Sequence, residues 1–249
     1  GCVYRSMSAQ VYLVDAGALP EGITTVELTG DEAHHAVKVK RTEVGEVIEI
    51  CDGQGVRVRG QVAEVKKHSL KLSVESRTVE PESKLKLTVA QALAKGDRAD
   101  LALEILTEVG VDFILPWRAE FAIAKWDDQE KGKAKWQNTV AQASKQSRRS
   151  WIPVVQDAVT TEDLAKLATN FDVAVVLHES AVRSFADLWL PERGSILLIV
   201  GPEGGVSPSE LEQLAAIQQV RMGKTVMRTS TAGAIAAGAI LSKTRWVQE

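Results

Sequence analysis

The chain has 249 residues, of which 45% are hydrophobic and 25% charged, and its formal net charge at pH 7 is −3. This length exceeds one typical domain and suffices to bury a substantial core. No apolar run approaches the roughly 20 residues that span a bilayer, so the composition predicts a soluble globular protein. The net negative charge argues against a protein that coats nucleic acid indiscriminately, because such binding depends on lysine and arginine contacts to phosphates.

Cysteine and histidine usage limits the chemistry further. The two cysteines, Cys2 and Cys51, are too few for a disulfide framework or for a spaced-cysteine metal site. The four histidines, two of them adjacent at His34 and His35, predict no metal-ligand cluster. No secretory segment is recognised before the first strand, and Met7 is a candidate native start. We therefore expect a cytoplasmic protein without a bound metal.

The first 80 residues have the pattern of a small β-barrel. Short runs rich in β-branched residues predict strands at residues 11–14, 47–50, 56–59 and 70–74. A turn is expected at residues 52–55, and one short helix at residues 31–41. The polar segment 79–84, which contains Pro81, is the best candidate for a linker. The sequence therefore predicts a domain boundary between residues 1–80 and 81–249.

After this linker the pattern changes to alternating strands and helices. Strands are predicted at residues 85–93, 112–116, 173–177 and 196–200, and helices at residues 98–109, 138–147, 162–168 and 232–246. The runs 173–177 and 196–200 lack alternation, as expected for strands that are covered on both faces. This order predicts a β-rich domain followed by an α/β domain with a parallel sheet.

The glycine-rich segment 201–205 (GPEGG) follows directly on a predicted buried strand and precedes a capping box formed by Ser207 and Glu210. It therefore lies at the carboxyl end of a parallel strand, where open α/β sheets bind ligands. A tight turn that binds nothing would have the same pattern. We expect Glu203 to be buried, and a carboxylate among glycines favours a ligand. The segment lacks the lysine of a phosphate-binding P-loop and the spacing of a dinucleotide site, so a neutral or cationic ligand is favoured.

Two further segments are candidates for the same site. In residues 220–232, the hydroxyl cluster Thr229, Ser230 and Thr231 is predicted to cap the helix that follows. Arg228 precedes that helix and would add to its positive end, which favours an anion as its partner. Residues 177–180, which include His178, lie at the carboxyl end of another predicted buried strand. A lone histidine there is also compatible with a structural role, and no serine lies in a hydrolase elbow.

Basic residues form two sets that could bind a polyanion. Each set alone is compatible with an ordinary solvated face, whereas two together favour a split RNA-binding surface. The first set comprises Lys38, Lys40, Arg41, Arg57, Arg59, Lys66 and Lys67. The second set comprises Lys131, Lys133, Lys135, Lys145, Arg148 and Arg149.

Taken together, these segments resemble the RsmE family of SPOUT methyltransferases, which methylate N3 of a uridine in bacterial 16S ribosomal RNA. The likeness extends over almost the whole chain and is most specific in the glycine-rich loop and the last segment. The matching stretches are residues 34–41, 95–98, 107–111, 146–149, 201–205 and 222–232. The family often has a glutamate where this chain has Ser230, so the resemblance assigns no catalytic acid at that position.

The resemblance implies a PUA-like β-barrel that helps to bind RNA, a SPOUT α/β domain with a carboxy-terminal trefoil knot, and a homodimer. It also implies S-adenosylmethionine as cofactor and 16S ribosomal RNA, within or outside the small ribosomal subunit, as partner. The expected cofactor-binding residues are Leu177, His178, Glu179, Gly201, Glu203, Gly204, Gly205, Met222, Gly223, Val226 and Met227. The expected RNA-binding residues are Lys38, Lys40, Arg41, Lys145, Arg148 and Arg149.

The predicted reaction is methyl transfer to the Watson–Crick edge of an unpaired or flipped uridine. Arg228 and Arg148 are expected to orient the uridine or its phosphate and to stabilise negative charge, and Glu203 to accept the N3 proton directly or through water. Two alternatives are a non-catalytic RNA-binding module, which would not bind S-adenosylmethionine, and a small-molecule α/β enzyme, whose substrate binding would depend little on salt.

Overall fold

The computed structural model describes residues 9–249, and Cys2 and Met7 lie outside this range. The chain divides into two compact units. The first comprises the described residues up to Glu82 together with Ser144–Ile152, and the second comprises Ser83–Ala143 and Pro153–Glu249. A division at residue 80 alone therefore does not describe the chain, since nine later residues belong to the first unit. No helix within residues 9–249 has both the length and the apolar character needed to span a membrane.

The described part of the first unit contains one five-stranded sheet with strand order β1-β3-β4-β5-β2. The strands are β1 Val11–Leu13, β2 Thr25–Leu28, β3 Val47–Cys51, β4 Val56–Val65 and β5 Leu70–Val79. The four predicted strands are confirmed, and β2 is the one that periodicity missed. It contributes only Val26 and Leu28 to the core, and Thr25 and Glu27, before and between them, are exposed. The predicted helix is present as α1 Gly30–His34, which continues as a π-helical turn at His35–Val39.

Six parallel strands form the sheet of the second unit, all of whose residues are described, in the order β11-β9-β10-β6-β7-β8. The strands are β6 Leu85–Ala92, β7 Phe113–Trp117, β8 Val154–Val155, β9 Val173–Leu177, β10 Gly194–Val200 and β11 Gln218–Val220. The central strand β10 is buried from Ile196 to Val200, which confirms the prediction from its unbroken apolar run.

The helices of this unit cover the two faces of the sheet. They are α2 Gly96–Val109, α3 Gln129–Gln146, α4 Thr161–Ala168, α5 Pro208–Gln213 and α6 Thr229–Ser242. Right-handed crossovers between parallel strands place α2 on one face and α4 and α5 on the other. In agreement, α2 packs against α6, and α4 packs against α5.

Two helix boundaries differ from the prediction for identifiable reasons. Helix α3 begins nine residues earlier than expected, and its first turns contain Gly132, a poor helix former that hides the helix in the sequence. Glycine is required there because a Cβ atom would collide with the Trp126 ring. Helix α6 ends at Ser242 instead of residue 246, because the chain turns at Thr244. Beyond that turn, the Arg245 guanidinium donates to the carbonyls of Leu85 and Gly110 and forms an ion pair with Asp112.

Candidate functional site

Three loops converge at one edge of the parallel sheet. Strands β9, β10 and β11 are neighbours and end at Leu177, Val200 and Val220, so the loops that follow them emerge side by side. They line a cavity of about 860 Å³, hereafter the loop cavity. All predicted cofactor-binding residues line it: Leu177, His178, Glu179, Gly201, Glu203, Gly204, Gly205, Met222, Gly223, Val226 and Met227. Residues from three separate segments of the sequence are thus brought together.

The glycine-rich loop is shaped by its glycines. Gly205 has φ 84°, a conformation that a residue with a side chain adopts only with strain. A Cβ atom at Gly201 would lie 2.8 Å from Val206 Cγ2, and one at Gly204 would lie 3.1 Å from Phe121 Cβ. The loop therefore requires glycine for its own packing as well as for access to its backbone.

The buried carboxylate near this loop is Glu210, not Glu203. Glu203 is exposed on the cavity rim, which corrects the expectation that its side chain is buried. Glu210 is 3% exposed and completes the capping box with Ser207 at the start of α5. The capping box was predicted from sequence, but the burial of its glutamate was not.

Glu210 also binds two segments that are distant in sequence. Its Oε2 accepts a hydrogen bond from the Thr161 hydroxyl at 2.5 Å and from the backbone N–H of Glu120 at 3.2 Å. Thr161 in turn accepts from the indole N–H of Trp117 at 3.0 Å. The carboxylate therefore fixes the glycine-rich loop to the start of α4 and to the loop that follows β7. Sequence reasoning could not find these partners, because the contacts join residues 49 and 90 positions apart.

Arg228 occupies the N-cap position of α6, and its side chain does not cap the helix. The prediction that Thr229, Ser230 and Thr231 form the cap is therefore wrong, because α6 begins at Thr229 and these hydroxyls belong to its first turn. The first-turn N–H groups and the helix dipole face the site. Within residues 9–249, no hydrogen bond or ion pair engages the Arg228 guanidinium. Its charge is available to an anionic ligand.

A second cavity of about 690 Å³, hereafter the crevice, adjoins the loop cavity. The two share the lining residues Pro202, Glu203, Arg228 and Thr229. Its other walls come from the end of β6, from α2 and from the loop after β7. Residues 95–98 were predicted only as part of a family likeness, and no cavity was expected beside them. Their convergence depends on strand order, which the sequence does not state.

The predicted RNA-binding residues all lie in the first unit, in two local environments. Lys38, Lys40 and Arg41 are exposed around the π-helical turn, and Arg41 has φ 51°. Arg148, with φ 58°, pairs with Glu49 at 3.2 Å, and its side chain is 40% exposed. These cations keep at least part of their surface available to an anionic partner.

Lys145 is placed differently. Its ammonium group pairs with Glu32 at 2.6 Å, lies 5.8 Å from the centre of the Tyr12 ring, and its side chain is only 8% exposed. Burial, together with the positive charges of Lys145 and Lys40, lowers the pKa of nearby His35. Because its charge is already paired and covered, Lys145 stabilises the first unit and is left out of the RNA surface proposed below.

Replacing Lys145 with methionine should therefore destabilise the first unit. The substitution keeps the length of the side chain but leaves the Glu32 carboxylate without its cation. Breaking a fully buried pair costs about 3–5 kcal/mol, and the partial exposure of Glu32 reduces the expected loss to about 1–3 kcal/mol. Urea unfolding measures this difference. Lys38→Met, at an exposed position, is the matched control and should change stability by less than about 0.5 kcal/mol. An unchanged stability in Lys145→Met would refute the structural assignment.

Comparison with known proteins places this arrangement in a family. Residues 81–241 match the RNA methyltransferase domain family, and residues 28–75 match the RNA methyltransferase PUA domain family. The chain is 38% identical to ribosomal RNA small subunit methyltransferase E of Mycobacterium bovis, with 96% of this chain and 94% of that protein covered. It is 30% identical to the protein of the same name from Bacillus subtilis, with 90% and 92% covered.

A solved structure agrees with these sequence matches. Ribosomal RNA small subunit methyltransferase E from Neisseria gonorrhoeae, bound to S-adenosyl methionine, superposes with a TM-score of 0.84 at 28% identity, covering 95% of this chain and 98% of that chain. These findings confirm the resemblance that the motifs suggested. The chain belongs to the ribosomal RNA small subunit methyltransferase E family.

Proposed function

We propose that this protein transfers the methyl group of S-adenosylmethionine to N3 of a uridine in 16S ribosomal RNA. The observation that carries the proposal is the loop cavity, where three glycine-containing or polar loops meet at adjacent strand ends in a chain of this family. A non-catalytic RNA-binding module is disfavoured, since such a module has no use for this cavity. Because the proposed substrate is ribosomal RNA, the reaction is proposed to take place in the cytoplasm.

The residues of the loop cavity suit S-adenosylmethionine. Glycine backbone is accessible at Gly205 and at Gly223, where a Cβ atom would meet nothing within 4 Å. The exposed carboxylates of Glu179 and Glu203 complement a ligand with a sulfonium and an amino group. When bound, the cofactor supplies a methyl group on a positively charged sulfur. The lining residues of the three loops would hold it through backbone and side-chain contacts.

The residues of the protein prepare the methyl acceptor, uridine N3, for the reaction. Uridine N3 carries a proton on the Watson–Crick edge, so the base must be unpaired or flipped out and that proton must leave. Glu203, on the shared rim of both cavities, accepts it directly or through water. Negative charge then develops on the uracil oxygens, and the Arg228 guanidinium stabilises it by charge-assisted hydrogen bonds. Arg148 orients the RNA by contacting a phosphate.

The first unit provides the RNA-binding surface in this proposal. Its match to the PUA domain family and its exposed cations support this role. The cations proposed to contact phosphates are Lys38, Lys40, Arg41, Arg148 and Arg149. The substrate is 16S ribosomal RNA, free or within the small ribosomal subunit.

The second unit is proposed to form a trefoil knot and a homodimer. The knot is proposed from the family to which the chain belongs. The contacts of Arg245 with the carbonyls of Leu85 and Gly110 hold the end of the chain beside the start of this unit. Exposed apolar side chains on α6 and just after it, namely Ile235, Trp246 and Val247, support the dimer. Light scattering of the purified protein should give twice the 27.0 kDa chain mass.

Calorimetric titration with S-adenosylmethionine, followed by a transfer assay on 16S ribosomal RNA, tests the proposed function. The proposal predicts one cofactor site per chain and incorporation of label into RNA. Folded protein that binds RNA but no cofactor would establish the non-catalytic module instead.

RNA binding should weaken steeply with salt, because each phosphate contact releases a counterion. The double substitution Lys38→Met and Lys40→Met removes up to two such contacts. The slope of log K against log salt should therefore fall in magnitude by up to about 2, with cofactor affinity unchanged. Lys166→Met and Lys243→Met, exposed on the second unit, form the control pair. A slope that changes equally in both pairs would contradict the assignment of the RNA surface to the first unit.

A further inference from the structure

Gln91 lies at the sheet edge where the order of strands reverses. It ends the parallel pairing of β6 with β10, opposite Val200, the last residue before the glycine-rich loop. From β6 the chain continues to β7 on one side, whereas from β10 it continues to β11 on the other. Such a reversal opens a crevice at the carboxyl ends of the strands, which is where α/β sheets bind ligands. The crevice of about 690 Å³ lies at this point, and Gln91 lines it.

The Gln91 side chain has no hydrogen-bond partner in the part of the chain that the structure describes. The residue is 2% exposed, and its Oε1 is buried without a hydrogen-bond partner among residues 9–249. Its neighbours are the Val200 side chain and the first turns of α6, where a Cβ atom at Gly233 would lie 3.8 Å from Oε1. A buried polar atom without a partner destabilises a protein, and an apolar side chain of similar shape would avoid that cost. Stability therefore gives no reason for a glutamine here.

The walls of the crevice fit a flat heterocycle that carries carbonyl oxygens. Leu101, Phe121 and Ile123 supply apolar and aromatic surface. The polar groups that line the same crevice include Arg228, which can only donate hydrogen bonds, and the N-terminal turn of α6. Rotation of the Gln91 carboxamide about its last torsion exchanges Oε1 and Nε2, which places an N–H donor where Oε1 has no partner among residues 9–249. Donors from Gln91 and Arg228 match a base with two carbonyl oxygens better than a base with an amino group.

We propose that the crevice receives the uracil base that is to be methylated, and that the Gln91 carboxamide donates a hydrogen bond to one of the two carbonyl oxygens that flank N3. Arg228 binds the other oxygen. This arrangement holds both oxygens and leaves N3 open between them, facing the wall that the crevice shares with the loop cavity. Cytosine carries an amino group in place of one of these oxygens, and beside Arg228 that group would face another hydrogen-bond donor. The site therefore favours uracil over cytosine. The inference rests on the proposed methyl transfer to uridine.

Gln91→Met, which keeps the length of the side chain and removes its polar atoms, tests the inference. Because an unpartnered buried amide is lost, the melting temperature should stay the same or rise, and the dissociation constant for the cofactor should stay within about twofold. kcat/KM for RNA should nevertheless fall about tenfold to a hundredfold, mainly through kcat. A merely structural glutamine would give the opposite result, a lower melting temperature with unchanged kcat/KM. Gln91→Leu is the second variant, and Thr88→Val, buried on the same strand outside the crevice, is the control.

RNA with 2-thiouridine or 4-thiouridine at the target position identifies the contact, because sulfur is a weaker acceptor than oxygen. One of the two substitutions should cost the wild-type protein about tenfold in kcat/KM and cost Gln91→Met less than about twofold. Effects of sulfur on the base itself are common to both proteins and cancel in this comparison. The inference, but not the proposed function, would be overturned if the sulfur substitutions lowered kcat/KM equally in wild type and variant. It would also be overturned if kcat/KM of Gln91→Met lay within threefold of that of an active wild-type protein. A wild-type protein that methylates no RNA would overturn the proposed function and the inference with it.

Discussion

Replacing Arg228 with alanine should lower kcat for methyl transfer by about 10²–10³-fold, the range found when a preorganised donor to a developing anion is removed. The guanidinium lies at the start of α6 on the rim of both cavities, and within residues 9–249 it has no other partner. Its removal therefore leaves no donor unpaired in the protein and should change stability little. The dissociation constant for the cofactor should also change little, since the loop cavity keeps its backbone walls. Single-turnover transfer to RNA measures the effect.

Two further variants separate the roles of charge and geometry at this position. Arg228→Lys keeps the positive charge and loses the planar, two-pronged donor, so the expected loss is intermediate, about tenfold. Arg193→Ala removes an exposed arginine of the same unit that lines neither cavity, and its kcat should equal that of the wild type. If Arg228→Ala kept full turnover while folding and RNA binding were unchanged, the role assigned to Arg228 would be wrong.

Replacing Glu210 with alanine should have the largest effect on stability. The carboxylate accepts hydrogen bonds from the Ser207 N–H, the Glu120 N–H and the Thr161 hydroxyl, and the alanine variant leaves all three unpartnered. Each unpartnered buried donor costs about 1–3 kcal/mol, so the total should exceed about 3 kcal/mol. Because these bonds anchor the glycine-rich loop, cofactor affinity should fall as well. Urea unfolding and calorimetric titration measure the two effects.

The matched control is Glu212→Ala, an exposed position on the same short helix, where stability should change by less than about 0.5 kcal/mol. Glu210→Gln is nearly isosteric and keeps one of the two accepting oxygens, so it should retain part of the stability that alanine loses. The other oxygen is replaced by an amide N–H group that faces a donor, so the variant should be less stable than the wild type. If Glu210→Ala were as stable as Glu212→Ala, the carboxylate would not be the anchor of the loop.

Local patterns in the sequence predicted much of the fold. The unbroken apolar runs 173–177 and 196–200 became β9 and the core of β10, and the Ser207–Glu210 capping box opened α5. Each of these signals is contained within a few neighbouring residues. Because carboxyl ends of parallel strands meet at one edge, the same reasoning selected the loops after β9 and β10, which line one cavity. The third loop was selected by Arg228 and its neighbouring hydroxyl groups, since β11 was not predicted.

Features that depend on the order of strands could not be predicted in this way. The insertion of β10 between β9 and β6 brings Gln91 beside the glycine-rich loop, although 110 positions separate Gln91 from Gly201. The burial of Glu210 depends on Thr161 and Glu120, and the pairing of Lys145 depends on Glu32. Short elements such as β2 and β11 are strands because their neighbours supply the pairing, and their own residues carry too little periodicity to signal it.

Mass mapping of 16S ribosomal RNA tests the central claim most directly. RNA from cells that lack this protein is incubated with the purified protein and S-adenosylmethionine, digested with a nuclease, and compared with untreated RNA. The account predicts one fragment heavier by a single methyl group, which further fragmentation assigns to N3 of a uridine. With Arg228→Ala, the same fragment should remain largely unmodified over the time in which the wild type completes a single turnover. A methyl group on another base or atom, or no methylated fragment at all with folded, cofactor-binding protein, would contradict it.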